Sequence, residues 1–274
     1  MTPATVSAAL AMSGLVPIEA KVLLAHVIGR DRAWLASHRE VPLTRDQALA
    51  FDALARRRRD GEPVAYLTGR REFFGLDLEI TRDVLIPRPE TELLVELSLT
   101  WLGEDARARV LDLGSGSGAV ALAVASQRPR TSVVGADVSA AAIAVARRNA
   151  KRLAIANATF LESDWFAHVP PDRFALIVAN PPYVANEDPH LGRGDLRFEP
   201  ETALASGSDG LDATRTIVAT APQYLAPGAP LALEHGHDQA AAVQALLLMA
   251  GLREVATVRD LAGIPRVTYG FLKG

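Results

Sequence analysis

The chain of 274 residues contains no cysteine. That excludes disulfides, cysteine-ligated metal and a cysteine nucleophile, and it is neutral about redox compartment. There is also no excess of positive charge. A formal net charge of -3 argues against a protein that wraps nucleic acid by bulk electrostatics. No apolar run is long enough to span a bilayer. Met1 to Pro17 has no basic residue before its short apolar patch, which makes it a poor signal peptide. No internal repeat is visible. What remains is a globular composition, 49% hydrophobic, with ample material for a core and a length that suits one large domain or two smaller ones. The expectation is a soluble cytoplasmic protein with no membrane partner.

The first stretch, to about Arg59, reads helical. Ser7 to Ser13 and Ile18 to Ile28 carry apolar residues at helical spacing, and Pro17 suits the first turn of the second helix. Thr44 and Gln47 have the spacing of a capping box before a helix running to Arg59. Gly61-Glu62-Pro63 breaks this bundle. Glu72 to Ile80 alternates loosely around Gly75, as in a β-hairpin. A helix over Thr91 to Leu102 follows. From Arg109 the pattern is strand, helix, strand, helix: strands over Val110–Leu113, Ser132–Ala136, Thr159–Leu161, Phe174–Ala179 and Pro230–Glu234. Helices fall over Ala119–Gln127, Ala140–Leu153, Asp209–Leu225 and Gln239–Ala250. Glu254–Arg259 and Arg266–Phe271 close as an antiparallel pair. Such alternation implies an α/β fold, a mostly parallel sheet with helices on both faces. The expected domains are a helical one over 1–60, a linker with the hairpin over 61–86, and the α/β domain over 87–274.

Two stretches carry chemistry. Asp112-Leu113-Gly114-Ser115-Gly116-Ser117-Gly118 lies between a strand and a helix, where glycines allow a tight turn and close approach of a ligand. Asp137 ends the next strand, about 20 residues on, where an acidic side chain accepts from ribose hydroxyls. The plainer role for Asp137 is a helix N-cap, which Ser139 could serve instead. The spacing fits a dinucleotide site too, but the later glycine of a pyrophosphate loop is missing. Ser163-Asp164-Trp165-Phe166 follows the third strand. Asp164 can accept from an adenine amino group and Trp165 can pack on the ring; core packing is the plainer reading for the two aromatics.

The second stretch is Asn180-Pro181-Pro182-Tyr183, at the end of an apolar strand expected beside the first one, hence beside the ligand pocket. A planar nitrogen with a delocalised lone pair is a poor nucleophile. The Asn180 oxygen can accept one of its N–H groups and the Pro181 carbonyl the other. The prolines stiffen the loop and remove competing donors, and Tyr183 can stack on the planar group. The contribution is positioning and fixed dipoles, with no strong base.

Asp112 to Gly118 resembles motif I of class I S-adenosylmethionine-dependent methyltransferases, and Asn180 to Tyr183 resembles motif IV of those that methylate planar nitrogens. With Glu62 to Gly69, Phe73 to Leu76, Leu85 to Glu92, Ser163 to Phe166, Arg197 to Pro200 and Glu234 to Gly236, the chain resembles the HemK/PrmC family over nearly its whole length. The resemblance implies a class I methyltransferase (Rossmann-like) fold, a mostly parallel seven-stranded sheet with a small helical N-terminal domain joined by a β-hairpin. It implies methyl transfer from S-adenosyl-L-methionine, leaving S-adenosyl-L-homocysteine, to the side-chain amide of the glutamine in the Gly-Gly-Gln motif of class-1 peptide chain release factors. Cofactor contacts then fall to Asp112, Gly114, Ser115, Gly116, Ser117, Gly118, Asp137, Asp164, Trp165, Thr91 and Asn180. Substrate contacts fall to Asn180, Pro181, Pro182, Tyr183, Arg88 and Pro89, with Asn180, Pro181 and Tyr183 catalytic and no metal. Arg197 and Glu199 are loop organisers or an internal ion pair. The run Arg56 to Arg59 complements a helix C-terminus or meets a partner. The runner-up is an adenine-N6 DNA or RNA methyltransferase, against which stand the acidic balance and the lack of a basic recognition domain.

Overall fold

The computed structural model describes residues 5–274, and the chain divides into two compact units: residues up to Arg70 with Arg193–Phe198, and Arg71–Gly192 with Glu199–Gly274. The expected limits 1–60, 61–86 and 87–274 do not coincide with these units, because a short helix extends the first unit and six residues from late in the chain join it.

The first unit contains α1 (Val6–Met12), α2 (Pro17–Ile28), α3 (Arg32–Ser37), α4 (Arg45–Arg59) and α5 (Val64–Thr68). Pro17 opens α2 and Gly29 closes it with φ 72°, a left-handed turn that glycine adopts without strain. Thr44 and Gln47 exchange reciprocal bonds, Gln47 N–H to Thr44 Oγ1 at 3.2 Å and Thr44 N–H to Gln47 Oε1 at 3.0 Å. Leu23, Leu24, Leu35, Phe51 and Leu67 meet in the core of this unit. The sequence pattern missed α3 and α5, which at six and five residues are too short to display a period. Only Asp31 signalled α3: its carboxylate accepts the Trp34 N–H at 2.7 Å.

The run Arg56–Arg59 is committed within this unit. Arg56 pairs with Asp52, Arg57 forks onto buried Glu62 at 2.7 and 2.8 Å, and Arg58 bridges Glu19 and Asp195. Arg59 donates to the Ser13 carbonyl at 2.5 Å, and Arg197 donates to the Asp60 carbonyl. The helix dipole is complemented, and most of this positive charge is neutralised by intramolecular partners.

After these helices, β1 (Arg70–Phe73) and β2 (Leu76–Glu79) form the hairpin, all but Arg70 of it in the second unit. Phe74 and Gly75 turn it with φ 49° and 76°, the left-handed pair whose twist matches the strands. Then come α6 (Glu92–Trp101), β3 (Arg109–Leu113), α7 (Ala119–Gln127), β4 (Ser132–Asp137), α8 (Ala140–Arg152), β5 (Ala158–Glu162) and β6 (Leu176–Ala179). The remainder is α9 (Asp212–Thr220), β7 (Pro230–Glu234), α10 (Ala240–Met249), β8 (Arg253–Arg259) and β9 (Pro265–Phe271).

The sheet runs β5-β4-β3-β6-β7-β9-β8, parallel from β5 to β7, with β9 antiparallel to both its neighbours. Strands β6 and β7 are buried at every position, as expected where helices cover both faces. The helix expected over Asp209–Leu225 is shorter. Gly210 at φ 75° cannot be its first turn, and Pro222, which lacks an N–H, turns the end into a 3-10 segment over Ala221–Gln223. Among the described residues no helix is long and apolar enough to cross a membrane.

Candidate functional site

The strand order reverses between β3 and β6, and the crevice beyond their carboxyl ends is where an open α/β sheet binds ligands. A cavity lies there. Its wall includes Gly114, Gly116, Asp137, Asp164, Trp165, Asn180 and Pro182, so the two motifs read from the sequence meet in one place.

The glycine loop is built by its backbone. The N–H groups of Gly114 and Ser115 both donate to the Ala136 carbonyl, at 2.8 and 3.0 Å, and Gly118 N–H donates to Ser115 C=O at 2.7 Å. Gly114, at φ 71°, is so placed that a Cβ would lie 3.7 Å from the Trp165 ring and 3.8 Å from the Asn180 carbonyl oxygen. Those are ordinary van der Waals distances, so it is the left-handed backbone rather than the space that asks for glycine here. Gly118 starts α7 at φ 81°. Ser115, Ser117 and Gly118 stand behind the wall, and the Ser115 hydroxyl is buried without a partner.

Asp112 is also behind the loop. It is 2% exposed and accepts the Ala121 N–H of α7 at 3.0 Å, so its visible work is to tie the loop to the helix. Burial pushes its carboxyl up to about 7, against the pull of that N–H. Asp137, in contrast, faces the cavity. Its two oxygens accept Gly116 N–H at 2.8 Å and Ser139 N–H at 2.9 Å, and each keeps a further lone pair. Burial raises its pKa while the two N–H groups lower it. The N-cap of α8 is Ser139, which accepts from Ala142 N–H at 3.2 Å, so Asp137 is spared that task.

Trp165 holds a left-handed backbone, φ 46°, unusual for a bulky residue and supported by Ser163, whose hydroxyl donates to the Trp165 carbonyl at 2.9 Å. Its neighbour Phe166 stacks on Tyr224 at 4.6 Å in the core. The two aromatics read alike in sequence thus divide, one to the wall and one to the core. Val138, 61% exposed, adds an apolar side chain to the wall.

The Asn180 amide donates from Nδ2 to the Thr91 hydroxyl at 3.1 Å. Thr91 itself is 4% exposed and does not line the cavity. Pro181 is buried and Pro182 is on the wall. The Tyr183 hydroxyl is raised to about 12, by burial first and then by the charge of Glu234. Its backbone carbonyl accepts from Gln239 Nε2 at 3.0 Å, and the loop continues paired through Val184 N–H to Leu204 C=O at 2.9 Å. Arg88 pairs with Glu199, whose side chain is fully buried and whose Oε2 accepts the Ile86 N–H at 3.1 Å. Arg88 and Pro89 therefore brace the segment before α6 and do not line the cavity. Glu199 pairs with Arg88 and not with Arg197, which belongs to the other unit.

Sequence reasoning missed Asp83, Val84 and Leu85, and Thr202 and Ala203, which complete the wall. Their proximity to Ile86-Pro87-Arg88 and Glu199-Pro200 was the available signal. It also gave no role to Gln239 or Glu234.

The methyltransferase small domain matches residues 90–193, and the PrmC N-terminal domain matches residues 4–69. The chain is 53% identical over 264 residues to the release factor glutamine methyltransferase of Bordetella pertussis, covering 96% of this chain and 97% of that protein. It is 46% identical over 252 residues to the release factor glutamine methyltransferase of Escherichia coli, covering 92% and 91%. A crystal structure of a methyltransferase from Pyrococcus furiosus shares the fold, with a TM-score of 0.56 at 20% identity over 73% of this chain and 90% of that one.

Proposed function

Since the chain belongs to the family of release factor glutamine methyltransferases, we propose that it methylates the side-chain amide nitrogen of the glutamine in the Gly-Gly-Gln motif of class-1 peptide chain release factors, in the cytoplasm. The donor is S-adenosyl-L-methionine, which supplies an electrophilic methyl group when bound and leaves as S-adenosyl-L-homocysteine.

The cradle suits such a donor on three counts. Gly114, at φ 71°, makes the left-handed turn that carries the loop past Trp165 and the Asn180 carbonyl. Asp137 keeps acceptor capacity for ribose hydroxyls, and Val138 and Trp165 offer apolar surface to a nucleobase with Asp164 at the same wall. We assign direct donor contacts to Gly114, Gly116, Asp137, Asp164 and Trp165. Asp112, Ser115, Ser117, Gly118 and Thr91 support them from behind.

The observation that carries the acceptor side is the bond from Asn180 Nδ2 to Thr91. With its donor end engaged, Asn180 presents Oδ1 to one N–H of the glutamine amide, and the Pro181 carbonyl takes the other. The amide is thereby held in one orientation, its lone pair toward the methyl group. Tyr183 and Pro182 close over the planar group and keep water out. Fixed dipoles and orientation supply the rate, in a site that needs no strong base. The acidified nitrogen then releases its proton to Asn180 Oδ1 or to water. Residues 1–60 are assigned to recognition of the intact release factor.

Mass spectrometry of purified release factor incubated with this protein and S-adenosyl-L-methionine tests the reading. One added methyl group on the Gly-Gly-Gln glutamine is expected. No gain on active release factor, with transfer to adenine in a nucleic acid control, would overturn it.

A further inference from the structure

Gln239 stands on the turn between β7 and α10, and its side-chain amide joins three stretches of the chain. Its Nε2 donates to the Tyr183 carbonyl at 3.0 Å and to the Asp209 carbonyl at 3.3 Å. Its Oε1 accepts the Gly236 N–H at 2.8 Å. A carbonyl can only accept and a backbone N–H can only donate, so these partners fix which way round the amide lies. Among the described residues no other donor reaches the Tyr183 carbonyl. A Cβ on Gly210 would come 2.8 Å from Nε2, so the bare backbone there makes room for the amide.

The turn is rooted in the sheet through Glu234 to Gly236, a stretch that the methyl-transfer reading leaves without a task. The Gly236 carbonyl accepts from Gln239 N–H at 3.1 Å and from His235 Nδ1 at 2.8 Å. His235 is fully buried, and its Nε2 meets the Thr268 hydroxyl of β9 at 2.8 Å. Burial favours the neutral ring. With its one proton on Nδ1, that ring takes the Thr268 proton at Nε2. Thr268 in turn meets Thr257 of β8 at 2.7 Å, and Thr257 accepts from Gln244 Nε2 at 2.8 Å. The Tyr183 carbonyl is thus tied through Gln239, Gly236 and His235 to the antiparallel edge of the sheet. Beyond Tyr183, Val184 N–H and C=O are held by Leu204 and Ser206 at 2.9 and 2.8 Å.

We propose that Gln239 is a positioning residue for the acceptor: its amide clamps the Tyr183 carbonyl and so sets where Tyr183 closes on the glutamine side chain. This rests on the methyl-transfer reading above and adds to it a residue on a different strand connection. Without the amide, the Tyr183 carbonyl faces Gly210 with no donor, and the loop must shift to find one.

Gln239→Glu is the sharpest probe, because it keeps the shape and changes the protons. The carboxylate still accepts Gly236 N–H but has nothing to give to Tyr183 or Asp209. Two carbonyls facing a carboxylate raise its pKa. Once protonated in acid, it regains one O–H for Tyr183. The measurement is kcat/KM on intact release factor, read by mass gain as the ratio of variant to parent at each pH, with donor affinity from calorimetry. Both proteins carry His235, His237, Asp238 and the Asp209–Arg215 pair, so these cancel in the ratio. The Gln239→Glu ratio should be down about tenfold or more in alkali, with donor affinity within about twofold of the parent. It should climb severalfold as pH falls. Gln239→Met, of similar length and with no proton to give, should stay low at every pH, and it carries the test if Gln239→Glu does not fold. A flat ratio in folded Gln239→Glu, parent-like kcat/KM in Gln239→Met, or a loss of donor affinity as large as the loss of kcat/KM overturns the inference. A parent inactive on release factor removes the methyl-transfer reading and this inference together; an active parent with insensitive variants removes the inference alone.

Discussion

A Cβ placed on Gly210 would stand 2.2 Å from the carbonyl oxygen of Tyr183. No real side chain can occupy that distance, so the loop that carries Tyr183 lies where it does because position 210 is bare. Gly210 also has φ 75°, where an L-residue costs about 1–2 kcal/mol. Gly210→Ala should therefore lower the melting temperature and raise KM for release factor, since Tyr183 must move. Unchanged KM with lowered stability would confine Gly210 to folding.

Asn180→Ala removes the acceptor oxygen and leaves in place Gly114, Gly116, Asp137, Asp164 and Trp165, the residues assigned to direct donor contact. Donor affinity should survive while kcat falls by about two to three orders of magnitude, as when one preorganised polar contact is deleted elsewhere. Transfer near the parent rate would show that Asn180 does not hold the acceptor.

Arg88→Ala removes the guanidinium that pairs with the buried Glu199 carboxylate. The expected loss is about 3 kcal/mol in chemical denaturation, the order seen when one partner of a buried ion pair is removed. Glu199→Gln in the Arg88→Ala background should recover part of it. A loss no larger than that of a surface substitution would mean the pair contributes little.

Asp112 links stability to pH. Its folded pKa of about 7 lies above the ordinary value of 3.8, so the folded chain holds a proton that the unfolded chain has released. Stability from this group falls as pH rises from about 4 through 7. Asp112→Asn can still accept the Ala121 N–H and should remove that slope, gaining stability on the alkaline side. Glu234, with its own raised pKa, contributes a slope of the same sign, which Asp112→Asn leaves in place.

Deleting residues 1–59 should raise KM for intact release factor far more than for a short Gly-Gly-Gln peptide. Equal effects on both would remove the recognition role given to the helical domain.

The sequence announced the parts of the site that are contiguous and lie where a strand ends. Gly114, Asp137, Trp165 and Asn180 were readable because each stands just after or at the end of an apolar strand and all converge on one cavity. Asp112 belonged to the same motif, but only the structure shows its carboxylate turned to Ala121. Gln239 reaches the Tyr183 carbonyl, and Glu234 ends the strand beside β6, through a strand order that local pattern does not encode, since β7 reaches β6 across more than 50 residues of chain. Boundaries failed where a short helix has no period, as in α3 and α5, or where single residues override one, as Gly210 and Pro222 do at α9.

The placement of β9 between β7 and β8 sets an order of assembly. During synthesis β8 emerges before the strand it pairs with, and β7 presents an open edge until residues 265–271 arrive. Open edges invite pairing with other chains. The strand that ends in Glu234 is the one left waiting. A nascent chain can thus complete the glycine loop and the Asn180 strand while Arg266, and the closed wall of the sheet around Glu234, are still to come.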